Sequence, residues 1–452
     1  MDNEIKVVFM GFGEVNTPAV IIEKMCLKAM KELEEKNVKI IAYKVLDDNP
    51  NREVLENTIN EIEKKSFDVL IICIAGWIPS WAVITLTNKF PHKAMLLWGL
   101  AGATENNILR STACQAGTSA LRKVFEDMKY RFKYVYNYPD SPSDMEKILS
   151  FARAAKSINM LRDSKIGMMG FRDMKLYGTL YDGISLKQKI GVDVEFFEML
   201  EITQIMDKLG DKEILNIEDK VKSEWIFKGR TDDEILRKGI KLYLAVKKKV
   251  IENDYKGISL IDVDGVKKLM HFTPAITFMM LADYLNICTI PENDTLGLVT
   301  QLIVKYLTGQ AAAYMEFYEF MKDRILIGVP DYVPSEIIEG KTTVTAIKFG
   351  EAGKGLLNIS KVKIGKVTLC RLYNSGNDYL MHIFTGEAVE PRVWEEIGWE
   401  HPAPRLPSLE IILDGSVEDF AQKVTSQHCI ISYGDNTVLL KEFCKLLNIQ
   451  TI

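Results

Sequence analysis

The stretch TIPENDTLG, residues 289 to 297, places two carboxylates, Glu292 and Asp294, one residue apart between a proline and a glycine, at the end of a segment that reads as buried. Helix capping explains one of them: Asn293 or Asp294 can satisfy free amides at the start of TLGLVTQLIVKYLTG, and a carboxylate there also suits the helix dipole. Two acids so close invite further chemistry, either hard oxygen donors for Mg2+ or Mn2+ or a general acid and base. A second candidate is His428, in SQHCIISYGD, which opens an apolar strand and so sets an imidazole at a sheet edge. His92, His271, His382 and His401 read as structural, and no two histidines stand at zinc-motif spacing, so a metal site must be assembled from distant segments. Asp262 and Asp264 in LIDVDG end another strand, the place where α/β proteins bind ligands, although a solvated strand end turning at Gly265 also accounts for them. Trp77 and Trp81 in AGWIPSWAV stand where a strand exits to a loop, which suits stacking on the apolar face of a sugar as well as core packing. The loop GFGEVN begins like a dinucleotide-binding turn but has Asn16 where the third glycine is needed, so a tight turn is expected and NAD is not supported.

The elements that must position these groups alternate regularly. IKVVFMGFG, VKIIAYKVL, FDVLIICIAGW and HKAMLLWGL are short apolar runs separated by amphipathic helices such as AVIIEKMCLKAMKELEEK, the pattern of a parallel sheet covered on both faces. This predicts a Rossmann-like, doubly wound α/β domain over residues 1–155. A second βαβ rhythm starts at SKIGMMGFR, continues through GVDVEFFEML, a polar helical stretch from 202 to 255 and GISLIDVD, and predicts a second α/β domain over 156–287. From about residue 340 short strands joined by Gly and Asn turns take over, so 288–452 is expected to be a β-rich C-terminal domain carrying Asp294 and His428, closed by the helix in DNTVLLKEFCKLLNI.

A chain of 452 residues exceeds one ordinary core and calls for two or three domains. A net charge of -5, with no lysine and arginine stripe interleaved with aromatics, argues against nucleic acid as a partner. The seven cysteines are scattered, mostly within apolar segments, and form no CxxC, as expected of reduced thiols in a cytoplasmic protein. The acidic N-terminus runs straight into a strand, unlike a signal peptide, and no apolar run reaches the roughly 18 residues of a membrane span.

Several stretches together resemble the L-fucose isomerase family: KAMLLWGLAGATE, FARAAKSINMLRDSKIGMMGFRDM, GVDVEFFEMLEI, PENDTLGLVTQLIVKYLTG, GKVTLCRLYNSG, MHIFTGEAVEP and SQHCIISYGDNTVLLKEFCKLLNI, in family order. The resemblance implies two Rossmann-like domains before a β-rich one, aldose–ketose interconversion with Mn2+ or a similar divalent ion such as Mg2+, and a homo-oligomer, hexamer or trimer. PENDTLG matches the family's TENDSLNG, which makes Asp294 a metal ligand with Glu292 beside it, and QHCIISYGD matches NHGAITYGH, which makes His428 the metal-binding histidine. Trp77 and Met174 fall on substrate-pocket positions, Gln427 stands for the Asn before the histidine, and Asn16 with Glu14 replaces a substrate-binding Arg. One departure is large. The family's second carboxylate ligand, in PNGDTME, corresponds here to Met279 or Met280 in TPAITFMMLAD, and a thioether is a poor ligand for a hard cation. Asp283 or Asp264 is then the expected substitute, the enzyme an ene-diol ketol isomerase for a hexose or pentose, including substituted ones, and the alternative a sugar-binding protein that has lost the metal site.

Overall fold

The computed structural model describes residues 4–229, 232–329, 332–348, 353–376, 378–396 and 406–452; His401 lies outside them. The chain divides into two compact units, Met1–Asn159 and Met160–Ile452. The first is built on a five-stranded, wholly parallel sheet in the order Val38–Leu46, Ile5–Phe12, Val69–Ile74, Ala94–Gly99, Arg131–Tyr136. Val69–Ile74 is apolar at every position and buried at every position, as helices on both faces require. Ala19–Glu34 turns Ile22, Cys26, Ala29 and Leu33 inward, one apolar stripe at helical spacing. The glycines of the first loop serve this packing. A Cβ at Gly11 would lie 2.5 Å from Cys26 Sγ and one at Gly13 would lie 2.6 Å from Ile22 Cδ1, so they let the helix approach the strand end.

The second unit holds three sheets. A four-stranded parallel one runs Cys288–Ile290, Tyr255–Leu260, Lys165–Met169, Asp193–Phe197, a second Rossmann-like layer. A four-stranded mixed sheet joins Ile226–Lys228, Thr343–Lys348, Lys354–Asn358 and Phe272–Thr273. The stretch from 202 to 255, read as helical, therefore contains a short strand, recruited by a partner more than a hundred residues away. The third sheet closes on itself. Gly365–Ser375, His428–Tyr433, Ala313–Phe320, Ile325–Gly328, Ser408–Leu413 and Asp378–Val389 pair antiparallel in that order, and the last pairs back to the first, which makes a six-stranded barrel with no open edge. Ala313, Met315, Ile327, Leu369, Ile411, Cys429 and Ile431 belong to the apolar core of this β region. The helix Thr295–Thr308 packs on both the parallel sheet, at Tyr255–Leu260, and the barrel, at Gly365–Ser375 and His428–Tyr433. Contact on two sides is why its sequence is apolar nearly all round.

Candidate functional site

The site grows from the turn that starts that doubly packed helix. Asp294 is the N-cap: its Oδ1 accepts the Gly297 N–H at 3.0 Å. Before it, Glu292 and Asn293 take left-handed backbone angles in succession, φ 64° and 50°, a conformation that costs a glutamate more than an asparagine. Two hydrogen bonds hold the turn. Glu292 N–H donates to Asp262 Oδ1 at 2.7 Å, and Asn293 Nδ2 donates to the Met169 carbonyl at 2.7 Å.

Asp294 is buried, and both of its oxygens are engaged. Arg371, buried on strand Gly365–Ser375, grips it as a fork, Nη1 to Oδ2 at 2.6 Å and Nη2 to Oδ1 at 2.7 Å. The Tyr314 hydroxyl lies 3.0 Å from Oδ2 and 2.6 Å from His428 Nδ1, so its single proton goes to one or the other according to the imidazole tautomer. Tyr314 and His428 stack, centroids 4.3 Å apart, and His428 Nε2 stands 3.8 Å from Glu292 Oε2. Strand pairing explains the meeting. Tyr314 and Glu316 on Ala313–Phe320 stand opposite Ile430 and His428 on the partner strand. Thus Asp294, Glu292 and His428, separated by more than a hundred residues, come together, and they bring Arg371 and Tyr314 with them. Arg371 left a trace in the sequence, since a lone charge in the apolar strand VTLCRLY demands a partner once buried. Tyr314 left none.

The electrostatics follow the geometry. Burial would raise the Asp294 carboxyl, yet the Arg371 charge and fork hold it below the ordinary carboxylate range. Burial pushes His428 down to about 3, against the pull of Asp294 and with that of Arg371, so its imidazole is neutral at neutral pH. Burial, then the Asp294 and Glu292 charges, push the Tyr314 hydroxyl well up. A second acidic pair braces the turn from behind. Asp173 accepts from the N–H groups of Val263 at 2.8 Å and Asp264 at 2.7 Å, and buried Asp262 pairs with buried Lys267 at 3.0 Å. Burial and then the Asp262 charge raise Asp173 to about 7.

The donor set does not suit a divalent cation. Among the described residues no three His, Cys, Asp or Glu side chains gather closely enough to hold one. Met279 and Met280 are fully buried in the apolar core, where Met279 Sδ faces Asn358 Nδ2 at 3.8 Å. Asp283 accepts the Ser335 N–H at 3.0 Å, and Asp264 pairs with Lys268 at 2.6 Å. A dication at about 4 Å from the fixed guanidinium would meet repulsion on the order of 8 kcal/mol at an effective dielectric near 20.

The other expected contacts are spread out. Met174 sits at φ 46° directly after Asp173 and is partly exposed, while Gln427 is exposed and its carbonyl accepts the Phe317 N–H at 3.0 Å. In the first unit Trp77 is exposed, its carbonyl accepting the Glu14 N–H at 2.8 Å, and Asn16 Nδ2 reaches Glu14 Oε2 at 3.3 Å.

No family model matches the chain. It is 19% identical over 406 residues to a sulfoquinovose isomerase of Priestia aryabhattai, covering 88% of each chain. Against an L-fucose isomerase of Vibrio vulnificus it is 29% identical over 140 residues, 30% of this chain and 24% of that one. Among solved structures, a periplasmic solute-binding protein of Actinobacillus succinogenes with bound D-allose aligns with 73% of this chain and 95% of its own at 11% identity, with a TM-score of 0.19, too low to carry an argument.

Proposed function

From the chain's distant homology to sulfoquinovose isomerase and L-fucose isomerase, we propose that it is an aldose–ketose isomerase acting on a hexose or pentose, with an anionic, substituted hexose as the first candidate. The observation that carries this reading is the alignment over 88% of both chains with the sulfoquinovose isomerase. The meeting of Glu292, Asp294 and His428 supports it from the side of geometry.

In the proposed reaction Glu292 takes the C2 proton of the open-chain aldose while O1 is protonated, which gives an ene-diol; the carboxyl returns the proton to C1 as the O2 proton leaves, and no oxidant is needed. Asp294, held ionised by Arg371, is a poor proton carrier and serves to orient Tyr314 and His428. With Tyr314 donating to Asp294, neutral His428 donates Nδ1–H to Tyr314 and keeps Nε2 bare, so it acts as a hydrogen-bond acceptor for a sugar hydroxyl. The Mn2+ or Mg2+ that the family resemblance implies does not fit these residues as they stand, so no step is routed through it. Met174 and Gln427 are proposed as sugar contacts of the second unit; Trp77 and Asn16 are proposed, separately, as sugar contacts of the first.

A homo-oligomer, trimer or hexamer, completes the proposal, because Phe171, Tyr177, Ile184 and Leu200 of the second unit are exposed apolar groups that association would cover. A cytoplasmic setting agrees with seven cysteines that are all free and buried. No helix among the described residues is long and apolar enough to cross a membrane.

The test is ketose formation, together with exchange of the C2 proton in D2O, across a panel of neutral and 6-substituted anionic aldoses. Absence of both with every sugar, in a protein that still binds one of them, would favour the second reading, a sugar-binding protein that has lost catalysis. Arg371 closing on Asp294, and methionines at the matching carboxylate position, are the observations behind that alternative.

A further inference from the structure

We propose that Arg371 is the resident cation of this site, its guanidinium standing beside Asp294 in place of a divalent metal ion, so that whatever the site binds or converts, it does without one. The inference deepens the isomerase reading but does not depend on turnover. It rests first on the fork: the two terminal nitrogens of one guanidinium meet the two oxygens of one carboxylate at 2.6 and 2.7 Å, both residues being almost wholly buried. An ion ligated by Asp294 must displace a group that is already charged, already desolvated and already matched to the carboxylate in shape.

A second, independent observation is the company Arg371 keeps on its other side. Its Nε is buried with no hydrogen-bond partner, and Arg371 borders a cavity of about 10 Å³ lined also by His382, Thr425, Ser426 and His428. Arg371 and His382 stand directly opposite each other on neighbouring strands of the barrel. Arg371 is thus anchored in a paired strand of the barrel while its buried head meets Asp294. The third is the missing oxygen donor. With Met279 and Met280 in the core and Asp283 and Asp264 engaged elsewhere, His428 and Glu292 are the imidazole and carboxylate that the described residues bring beside Asp294, and an ion there would face the guanidinium. Arg371 acts here as a positioning residue: it keeps Asp294 ionised and fixes the hydroxyl of Tyr314 and, through it, the ring of His428.

The experiment titrates Mn2+ alone into the full-length protein and follows free Mn2+ by electron paramagnetic resonance, with Arg371→Gln and Asp294→Asn measured beside the wild type. The expected result is no uptake by the wild type, or uptake that D294N leaves unchanged, and uptake tightened by at least about tenfold in R371Q. Stoichiometric uptake by the wild type that D294N abolishes overturns the proposal, and so does a folded R371Q that takes up no more metal than the wild type. Should R371Q fail to fold, the wild type and D294N decide alone. Turnover that persists in a chelator supports this inference and the isomerase reading together; turnover that needs Mn2+ defeats this inference only; no turnover and no uptake defeats the isomerase reading and leaves Arg371 as the resident cation.

Discussion

Asp262 accepts the backbone N–H of Glu292 at 2.7 Å, so the carboxylate at the end of one parallel strand holds the left-handed turn that presents the acid at the end of the next. Tyr255–Leu260 and Cys288–Ile290 are adjacent in their sheet, and the ligand-binding end of an α/β layer is where such neighbours meet. Two successive residues at positive φ, one of them a glutamate, store backbone strain in this turn. Replacing Glu292 by Gly is therefore expected to do two opposite things: abolish ketose formation, and raise stability by up to about 1 kcal/mol as a residue suited to positive φ enters. Denaturant midpoints and rates measured on the same preparation check this; a variant that is both less stable and fully active would sink the assignment of Glu292 as proton carrier.

The Arg371–Asp294 pair is expected to show strong energetic coupling. Removing either partner strands a buried charge and costs about 3–5 kcal/mol, whereas removing both with apolar groups of similar volume is far less harmful. Loss of the Asp294 cap adds about 1 kcal/mol to any variant that lacks it. R371M, D294L and the double variant, unfolded in urea, should give a double variant more stable than the sum of the singles predicts. Additive losses would show that the fork contributes nothing as a pair.

Asp173 makes the stability of the fold depend on pH. Its folded-state pKa, about 7, lies above the ordinary carboxylate value of 3.8, so the folded protein holds a proton that the unfolded chain releases. Stability therefore falls as pH rises from about 4 to about 7 on this group's account. Two buried histidines act in the other direction: burial lowers His382 to about 4 and His428 to about 3 from 6.5, so the unfolded chain binds their protons more tightly and stability climbs until pH passes about 6.5. Around pH 7 the two histidine contributions and the Asp173 contribution nearly cancel, so the wild-type thermal midpoint should change little there. Asp262→Asn removes the neighbouring charge, keeps an acceptor for the Glu292 N–H, lowers the Asp173 pKa, and should make stability rise more steeply with pH between about 6 and 7 than in the wild type. An identical pH profile in the variant would show that Asp262 does not set the Asp173 titration.

Asp294, Glu292 and His428 were legible in the sequence because each breaks a local pattern: acids at the end of an apolar segment, an imidazole at the head of an apolar strand. The two parallel sheets were legible for a related reason, since wholly apolar runs between amphipathic helices admit few other arrangements. Closure of the barrel was not. The hairpin from Gly365–Ser375 to Asp378–Val389 is announced by its Asn and Gly turn, but the pairing of Gly365–Ser375 with His428–Tyr433 is between segments far apart in the chain and carries no local signature. The same distance hid Tyr314, whose role exists only because Ala313–Phe320 lies against His428–Tyr433.

Arg371 Nε, His382 Nε2 and Thr425 Oγ1 are buried polar atoms without a hydrogen-bond partner, and Arg371, His382 and Thr425 all line the same space of about 10 Å³. Buried polar groups are rarely left unmatched, and about 10–15 Å³ is the space that one water needs. A single ordered water is expected there, accepting from Arg371 and donating to neutral His382. Thr425→Val removes one partner and should lower stability by about 1–3 kcal/mol, more than a threonine on the surface would cost. A crystal structure beyond about 2 Å resolution reads the water directly. If it shows an empty cavity whose walls have moved to pair Arg371 Nε with a protein atom, the barrel wall is not the fixed mount that the resident-cation argument requires.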